Sequence, residues 1–313
     1  MTERKAGSFQ KLLLTALFLL AIPLGTTTGV QAKENPGSLT VYTVNYPLQY
    51  FAQRIAGHDA KVVFPAPAKG DPAFWTPDAQ AVAEFQQADL ILLNGANYAK
   101  WLGRVSLPRF RLVDTSAGFK DNYIVTTAGV SHSHGPGGEH AHAGTAFTTW
   151  LDFSQAAEQA RAVMKALSRK LPQHAARFEQ NYSALERELL TLDAEIKALV
   201  DGDPDQLLVA SHPVYQYFAR RYGAKLESVL WEPEVPPDER QWVELKRLLD
   251  AHPAKWMIWE GEPNQTTIRR LKSLGVSSLV FDPCANVPEN DDFMGVMQRN
   301  IENMAAVFQS ISR

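Results

Sequence analysis

The sequence predicts an α/β protein of two lobes, each a parallel sheet flanked by helices, joined by one long rigid helix. Strand-like and helix-like segments alternate on both sides of residues 172–200, an order typical of parallel sheets. Within 172–200, apolar residues recur at spacings of three and four, which places them along one side of a helix. These residues are Tyr182, Leu185, Leu189, Leu192, Ile196 and Leu199.

The composition is consistent with a two-lobed α/β protein. The 313 residues, 45% of them hydrophobic, suffice for two lobes with cores. A formal net charge of −3 argues against a nucleic-acid partner. The single cysteine, Cys284, excludes an intrachain disulfide and a thiolate zinc site within one chain.

The N-terminus is typical of an exported protein. Basic residues precede the apolar run 12–24, and Val30-Gln31-Ala32 ends the segment as a cleavage signal. The run is short for a membrane span, although a signal anchor is the alternative. No cysteine follows it, so we expect no lipid attachment. Residues 1–32 are therefore a predicted signal peptide, and the mature protein is expected in the periplasm.

Residues 33–171 are predicted to form the N-terminal lobe. Strands are expected at 39–44, 61–64, 89–94 and 111–114, because these runs are apolar and partly β-branched. Helices are expected at 48–56, 78–87 and 153–171, with a helical turn at 98–102 and a loop rich in Pro, Ala and Gly at 65–77.

The linking helix is predicted at 172–200. Pro172 suits the first turn of a helix, where its missing N–H would have no partner. The run 201–205 ends the helix, because Gly202 permits a left-handed cap and Pro204 cannot continue it. The alternative is a long core helix inside a single domain.

Residues 201–313 are predicted to form the C-terminal lobe. Strands are expected at 206–210, 226–230, 255–259 and 277–281, and helices at 215–222, 239–251 and 266–274. Asp238 is the expected cap of the second of these helices. A last helix, capped by Asp291 or Asp292, runs almost to the C-terminus.

Half of the eight histidines lie in residues 131–142, namely His132, His134, His140 and His142. The Gly and Pro content of this segment predicts a mobile loop. Neutral imidazoles are good zinc donors, so this histidine loop is a candidate accessory site for weak metal capture. A plain solvated linker is the alternative.

Three ionisable residues of the second lobe each follow a predicted strand: His212, Glu260 and Asp282. Ligands of open parallel sheets bind at the carboxyl ends of the strands. One imidazole and two carboxylates at such an edge form a plausible metal-ligand set. Each residue alone also has an ordinary structural explanation, such as a turn Asp before proline.

Aromatic residues in predicted loops near strand ends form another group: Tyr46, Phe74, Trp75, Trp150 and Trp231. They are expected to pack the lobes or to line a cleft for an organic ligand.

At this point the chain resembles the zinc/manganese solute-binding proteins of bacterial ABC transporters, the cluster A-I class. The resemblance covers nearly all of the mature chain. It rests on Tyr46-Pro47-Leu48, Gly70-Asp71-Pro72, residues 88–95, the histidine loop, Trp150-Leu151-Asp152, Ser211-His212 and Phe281-Asp282-Pro283. It implies a two-lobed monomer that captures a divalent metal, with zinc favoured over manganese, and delivers it to an ABC permease.

The resemblance also implies first-lobe metal histidines, and here both are replaced. Ala73 stands after the Asp71-Pro72 pair, and Thr148 stands two residues before Trp150. His212 and Asp282 match the second-lobe ligands, and Glu260 matches a carboxylate near the site. Completion by Asp71 or by the histidine loop is the hypothesis that follows.

Other interpretations remain open at this stage. The same fold could carry a site rebuilt for a metal chelate or a small organic ligand, lined by Asp71, Trp75, Thr148 and Trp231. A metal-assisted hydrolase is disfavoured, because the sequence has neither a nucleophile elbow nor a metalloprotease helix motif. The sequence does not distinguish a zinc chaperone or a surface adhesin from a transport protein.

The affinity of the predicted site for zinc is expected to fall below about pH 6, because histidine becomes protonated.

Overall fold

A computed structural model gives the structure of this chain over residues 39–126, 131–133, 139–141 and 144–308. The predicted signal peptide, residues 1–32, lies outside these ranges. Within them, no helix has both the length and the apolar character needed to cross a membrane.

The N-terminal sheet consists of β1 (Leu39–Thr43), β2 (Ala60–Val63), β3 (Leu90–Leu93) and β4 (Leu112–Asp114). All neighbouring strands are parallel, in the spatial order β2-β1-β3-β4. The helices of this lobe are α1 (Tyr46–Ala56), α2 (Ala79–Gln87) and α3 (Phe153–Lys170). Asn45, Asp78 and Asp152 cap them by accepting hydrogen bonds from first-turn N–H groups. The predicted order of this lobe is therefore confirmed, and helix α1 begins two residues earlier than expected.

The segment that carries the histidine loop differs from its prediction. Strands β5 (Val125–Thr126) and β8 (Gly144–Thr145) pair antiparallel, as do β6 (Ser131–Ser133) and β7 (Glu139–Ala141). The expectation of a loop throughout 131–142 is thus wrong for six residues. The composition of this segment does not show that two of its short stretches pair with each other as strands.

The linking helix, α4 (Ala175–Gly202), follows a 3-10 turn at Pro172–His174 and is roughly 42 Å long at 1.5 Å per residue. The predicted seam is buried from Tyr182 to Ile196, whereas Leu199 is half-buried and Val200 takes its place. The expected left-handed cap at Gly202 is wrong, since Gly202 is the last helical residue and lacks a positive φ.

The C-terminal sheet consists of β9 (Leu207–Ala210), β10 (Lys225–Ser228), β11 (Trp256–Trp259) and β12 (Ser277–Val280). Its strands are parallel in the order β10-β9-β11-β12. The helices are α5 (Gln216–Tyr222), α6 (Glu239–Ala251), α7 (Gln265–Ser273) and α8 (Phe293–Phe308). Asp238 and Gln241 form a capping box on α6. Of the two candidate caps for α8, Asp292 accepts the hydrogen bond from the Gly295 N–H.

The larger hydrophobic core is continuous through both lobes. It contains Phe51 and Phe153 of the first lobe, Leu189 of α4, and Phe218 and Phe293 of the second lobe. Helix α4 packs against α1 and α3 of the first lobe and against α5 and α8 of the second lobe. A smaller core that includes Trp231, Trp242 and Trp259 belongs to the C-terminal lobe alone. The two sheets are thus joined by shared packing as well as by the helix.

Candidate metal site

A cavity of about 940 Å³ lies between the two lobes. The loop between β2 and α2 forms part of one wall, and residues that follow the C-terminal strands form the other. Five carboxylates line it: Asp71, Glu232, Glu234, Glu260 and Asp282. A cavity with this charge attracts cations.

His212, Glu232 and Glu260 form a compact group on the C-terminal wall. Each offers one ligand atom, and these atoms lie within 4.8 Å of one another. The His212 Nδ1 atom is 3.7 Å from the Glu232 Oε1 atom and 3.9 Å from the Glu260 Oε1 atom. One imidazole nitrogen and two carboxylate oxygens are ligands that zinc and manganese accept in proteins.

Sheet order explains why these three side chains meet. His212 follows β9, Glu260 follows β11 directly, and Glu232 follows β10 after three intervening residues. These strands are adjacent, so their carboxyl ends lie side by side. Hydrogen bonds from the Ser211 N–H to the Ile258 carbonyl (2.8 Å) and from the Trp231 N–H to the Ser211 carbonyl (2.7 Å) hold the three segments together.

Glu232 was not among the ligands predicted from the sequence, although it directly follows Trp231 in a predicted loop. The signal that could have found it is an acidic residue shortly after a third strand of the same sheet. Position after a strand was the criterion that selected the other candidates.

Asp282 lines the same cavity but does not belong to the three-residue group. It follows β12, at the edge of the sheet, two strands away from β9. Its Oδ1 atom accepts a 2.7 Å hydrogen bond from the Cys284 N–H, and Asn300 of α8 bonds to both its backbone N–H and its carbonyl. The structure thus brings together two of the three predicted ligands, and a different carboxylate completes the group.

Burial raises the pKa of two carboxyl groups of the cavity, Glu260 and Asp282. The pKa of Glu260 is well above its ordinary value, first because of burial and then because of the charges of Glu232, Asp71 and Asp282. Burial also raises the pKa of Asp282, and the hydrogen bond from the Cys284 N–H opposes that shift. A cation in the cavity would relieve this mutual repulsion.

The N-terminal wall contains no ligand at the two positions where the resemblance implies histidines. Ala73 is fully buried, and its N–H donates a 2.8 Å hydrogen bond to the Asp71 side chain. Thr148 is buried, and its hydroxyl donates to the Val214 carbonyl of the other lobe. Asp71 lines the cavity and lies close enough to Glu260 to influence its pKa.

The predicted aromatic residues divide into cavity wall and core. Phe74, Trp75, Trp150 and Trp231 line the cavity. Tyr46 does not line it, so of its two predicted roles the structure supports packing of the lobe and not the cleft. Tyr46 is the first residue of α1, its ring lies in the core beside Tyr50, and burial raises its pKa to about 12.

The structure describes two of the four histidines of the histidine loop. His132 and His140 are cross-strand partners on β6 and β7. His134 and His142 lie outside the described residues. An accessory metal-capture role for these four residues stays a prediction.

Asn286 connects the two walls of the cavity. Its Nδ2 atom donates hydrogen bonds to the Pro67 carbonyl (2.8 Å) and the Gly70 carbonyl (3.1 Å) across the lobe boundary. We expect Asn286→Ala to speed amide hydrogen exchange in the 65–77 loop about fivefold. The reason is that two hydrogen bonds, worth roughly 1 kcal/mol together at an exposed site, are lost. Asn303→Ala is the matched control, since Asn303 bonds to Val280 within one lobe. Equal exchange rates in both variants would contradict the bridging role.

Two parallel sheets, a long connecting helix and an acidic cavity between the lobes define the class of two-lobed metal-binding solute-binding proteins. Residues 41–307 match the family described as zinc-uptake complex component A, periplasmic. The chain therefore belongs to this family, whose members are substrate-binding proteins of ABC metal uptake rather than enzymes.

Relatives and solved structures agree with this assignment. The chain is 26% identical over 281 residues to the metal ABC transporter substrate-binding lipoprotein SloC of Streptococcus mutans, covering 87% of this chain and 82% of that protein. It shares the fold of the Zn(II)-bound ZnuA-like domain of Streptococcus pneumoniae AdcA, with a TM-score of 0.71, 22% identity and coverage of 88% and 100%. It also shares the fold of FpvC from Pseudomonas aeruginosa in complex with Mn2+, with a TM-score of 0.70, 21% identity and coverage of 87% and 99%. The first of these two structures was solved with zinc bound and the second with manganese.

Proposed function

We propose that this protein captures zinc in the inter-lobe cavity outside the cytoplasm and delivers it to an ABC permease. The observation that carries the proposal is the convergence of His212, Glu232 and Glu260, with ligand atoms within 4.8 Å of one another on the cavity wall. Asp71 and Asp282 add negative charge to the same cavity. The fold and the family support a transport role.

The proposal includes the organisation expected from the sequence. Residues 1–32 direct export and are removed, without lipid attachment, and the mature chain works in the periplasm as a monomer. Residues 33–171 and 201–313 are the two lobes, joined by the helix at 172–200. Because one core runs through both lobes, closure on the metal involves small movements rather than a wide hinge opening.

Calorimetric titration of the tag-free mature protein tests the proposal. We expect one zinc ion per chain and weaker binding of manganese, since the histidine nitrogen favours zinc in this donor set. Magnesium, which prefers oxygen ligands and retains its waters, is the control and should give no heat of binding. Absence of zinc binding at neutral pH would overturn the proposal.

Zinc affinity should depend on pH. The raised pKa of Glu260 means that a proton competes with the metal at a higher pH than for an ordinary carboxyl group. We expect affinity to fall as pH decreases from 7.5 to 5.5, by about tenfold per pH unit for each proton released. Titrations in buffers of different ionisation enthalpy measure the proton count, and a pH-independent affinity would contradict this assignment.

A further inference from the structure

The cavity is much larger than a metal ion requires. A divalent ion with six waters occupies about 180 Å³, at about 30 Å³ for each water. The cavity of about 940 Å³ exceeds this several-fold and falls within the range typical of sites for small organic molecules. Space therefore remains for a second component beside the ion.

All three candidate ligands come from one wall. His212, Glu232 and Glu260 follow strands of the C-terminal sheet, and Ala73 and Thr148 offer no metal ligand on the opposite wall. Zinc held by three protein ligands keeps an open coordination position and can expand to five-coordinate, so a ligand with two donor atoms can bind at that position. Given the proposed function, on which this inference rests, that position is accessible from the cavity.

The opposite wall is aromatic. Phe74, Trp75, Tyr98, Phe147 and Trp150 line it. Their rings pack edge to face, with centroid distances of 5.4 Å for Tyr98–Phe147 and 5.7 Å for Tyr98–Trp150. Such a wall suits a flat or apolar ligand group rather than a hydrated ion.

The Tyr98 hydroxyl supplies a polar group on this wall. Tyr98 is 1% exposed, and its hydroxyl has no hydrogen-bond partner among the described residues. Burial and the charge of Asp71 hold the Tyr98 pKa well above its ordinary value, so the group is a neutral O–H donor. A buried hydroxyl normally has a partner, and an anionic ligand oxygen would provide one.

Charge restricts the class of ligand. Five carboxylates line the cavity, and Lys69 and His212 are the opposing basic residues among its described lining. A multiply charged anion such as citrate would meet net repulsion. A monoanionic chelator, whose complex with a divalent ion remains cationic or neutral, meets no such barrier.

We propose that the cavity takes up zinc together with a small monoanionic chelator of the aromatic N,O type. His212, Glu232 and Glu260 hold the ion, the chelator nitrogen and carboxylate complete its coordination, and the aromatic ring of the chelator packs on the Phe74–Trp75 side of the cavity. The Tyr98 hydroxyl donates to the chelator carboxylate.

Equilibrium dialysis with radiolabelled picolinate and with radiolabelled L-histidine tests this assignment, in the presence and absence of zinc. We expect the wild-type protein to retain at least one of these chelators in a 1:1 ratio with zinc, and to retain neither without zinc. Apparent zinc affinity should rise about tenfold in the presence of the retained chelator, and labelled citrate should not be retained.

Tyr98→Phe keeps the ring and removes the hydroxyl, and we expect it to weaken chelator retention about tenfold, the effect of one lost hydrogen bond. Tyr42→Phe is the matched control, because the Tyr42 hydroxyl bonds to Glu84 away from the cavity. If zinc binds but both chelators only compete for it and neither is retained, this inference is wrong and the proposed function stands. If zinc fails to bind with or without chelator, the proposed function falls as well.

Discussion

His212→Ala is expected to lower zinc affinity by at least about 100-fold. Loss of a group that merely orients a ligand weakens metal binding by about 10- to 100-fold, so loss of a ligand should reach at least the upper end of that range. His212 is 2% exposed and is the imidazole of the proposed site, within 4 Å of both Glu232 and Glu260. Its removal leaves a carboxylate pair, which holds zinc less well than a mixed nitrogen and oxygen set.

Calorimetry or competition with a zinc indicator measures this loss. His58→Ala is the matched control, since the His58 side chain is 88% exposed and does not line the cavity. His212→Gln retains most of the side-chain volume, and unchanged circular dichroism would separate ligand loss from misfolding. Equal zinc affinity in the wild type and both His212 variants would show that the metal binds elsewhere.

Leu189→Ala is expected to destabilise the protein by about 2–5 kcal/mol, because it opens a space in a packed core. Leu189 is fully buried at the middle of α4, in the core shared by both lobes. The adjacent Leu190 is 44% exposed, so Leu190→Ala makes the same chemical change on the solvent side of the same helix. We expect that control to cost about 0.5 kcal/mol or less.

Urea unfolding, followed by tryptophan fluorescence and by circular dichroism, measures both variants. Because Leu189 contributes to one continuous core, the two probes should give the same transition for the whole protein. Separate transitions for the two lobes would contradict the view that α4 joins them into one cooperative unit. Equal destabilisation by the two substitutions would show that the burial difference does not govern stability here.

Local patterns predicted most of the fold correctly. The seam from Tyr182 to Ile196 identified the buried side of α4, since helix periodicity depends only on neighbouring turns. Asp238 correctly marked the start of α6, because capping is a local hydrogen-bond requirement. The loop prediction for 131–142 was wrong for β6 and β7 because composition does not show which stretches pair as strands.

The candidate site was only partly predictable. Position after a strand identified His212 and Glu260, since parallel strands bring their carboxyl ends to one edge of a sheet. The same criterion could not rank Glu232 against Asp282. Spatial strand order placed Glu232 beside His212 and put Asp282 two strands from β9.

The sequence by itself determined the class of this protein: two α/β lobes, a long connecting helix, and acidic and imidazole groups at strand ends. These features depend on short-range periodicity, caps and strand boundaries, which a single sequence contains. Only the tertiary structure decided that Glu232 completes the group, that Tyr46 belongs to the core, and that one core unites the lobes. The physical reason is that side-chain direction and strand adjacency arise from contacts between residues far apart in the chain.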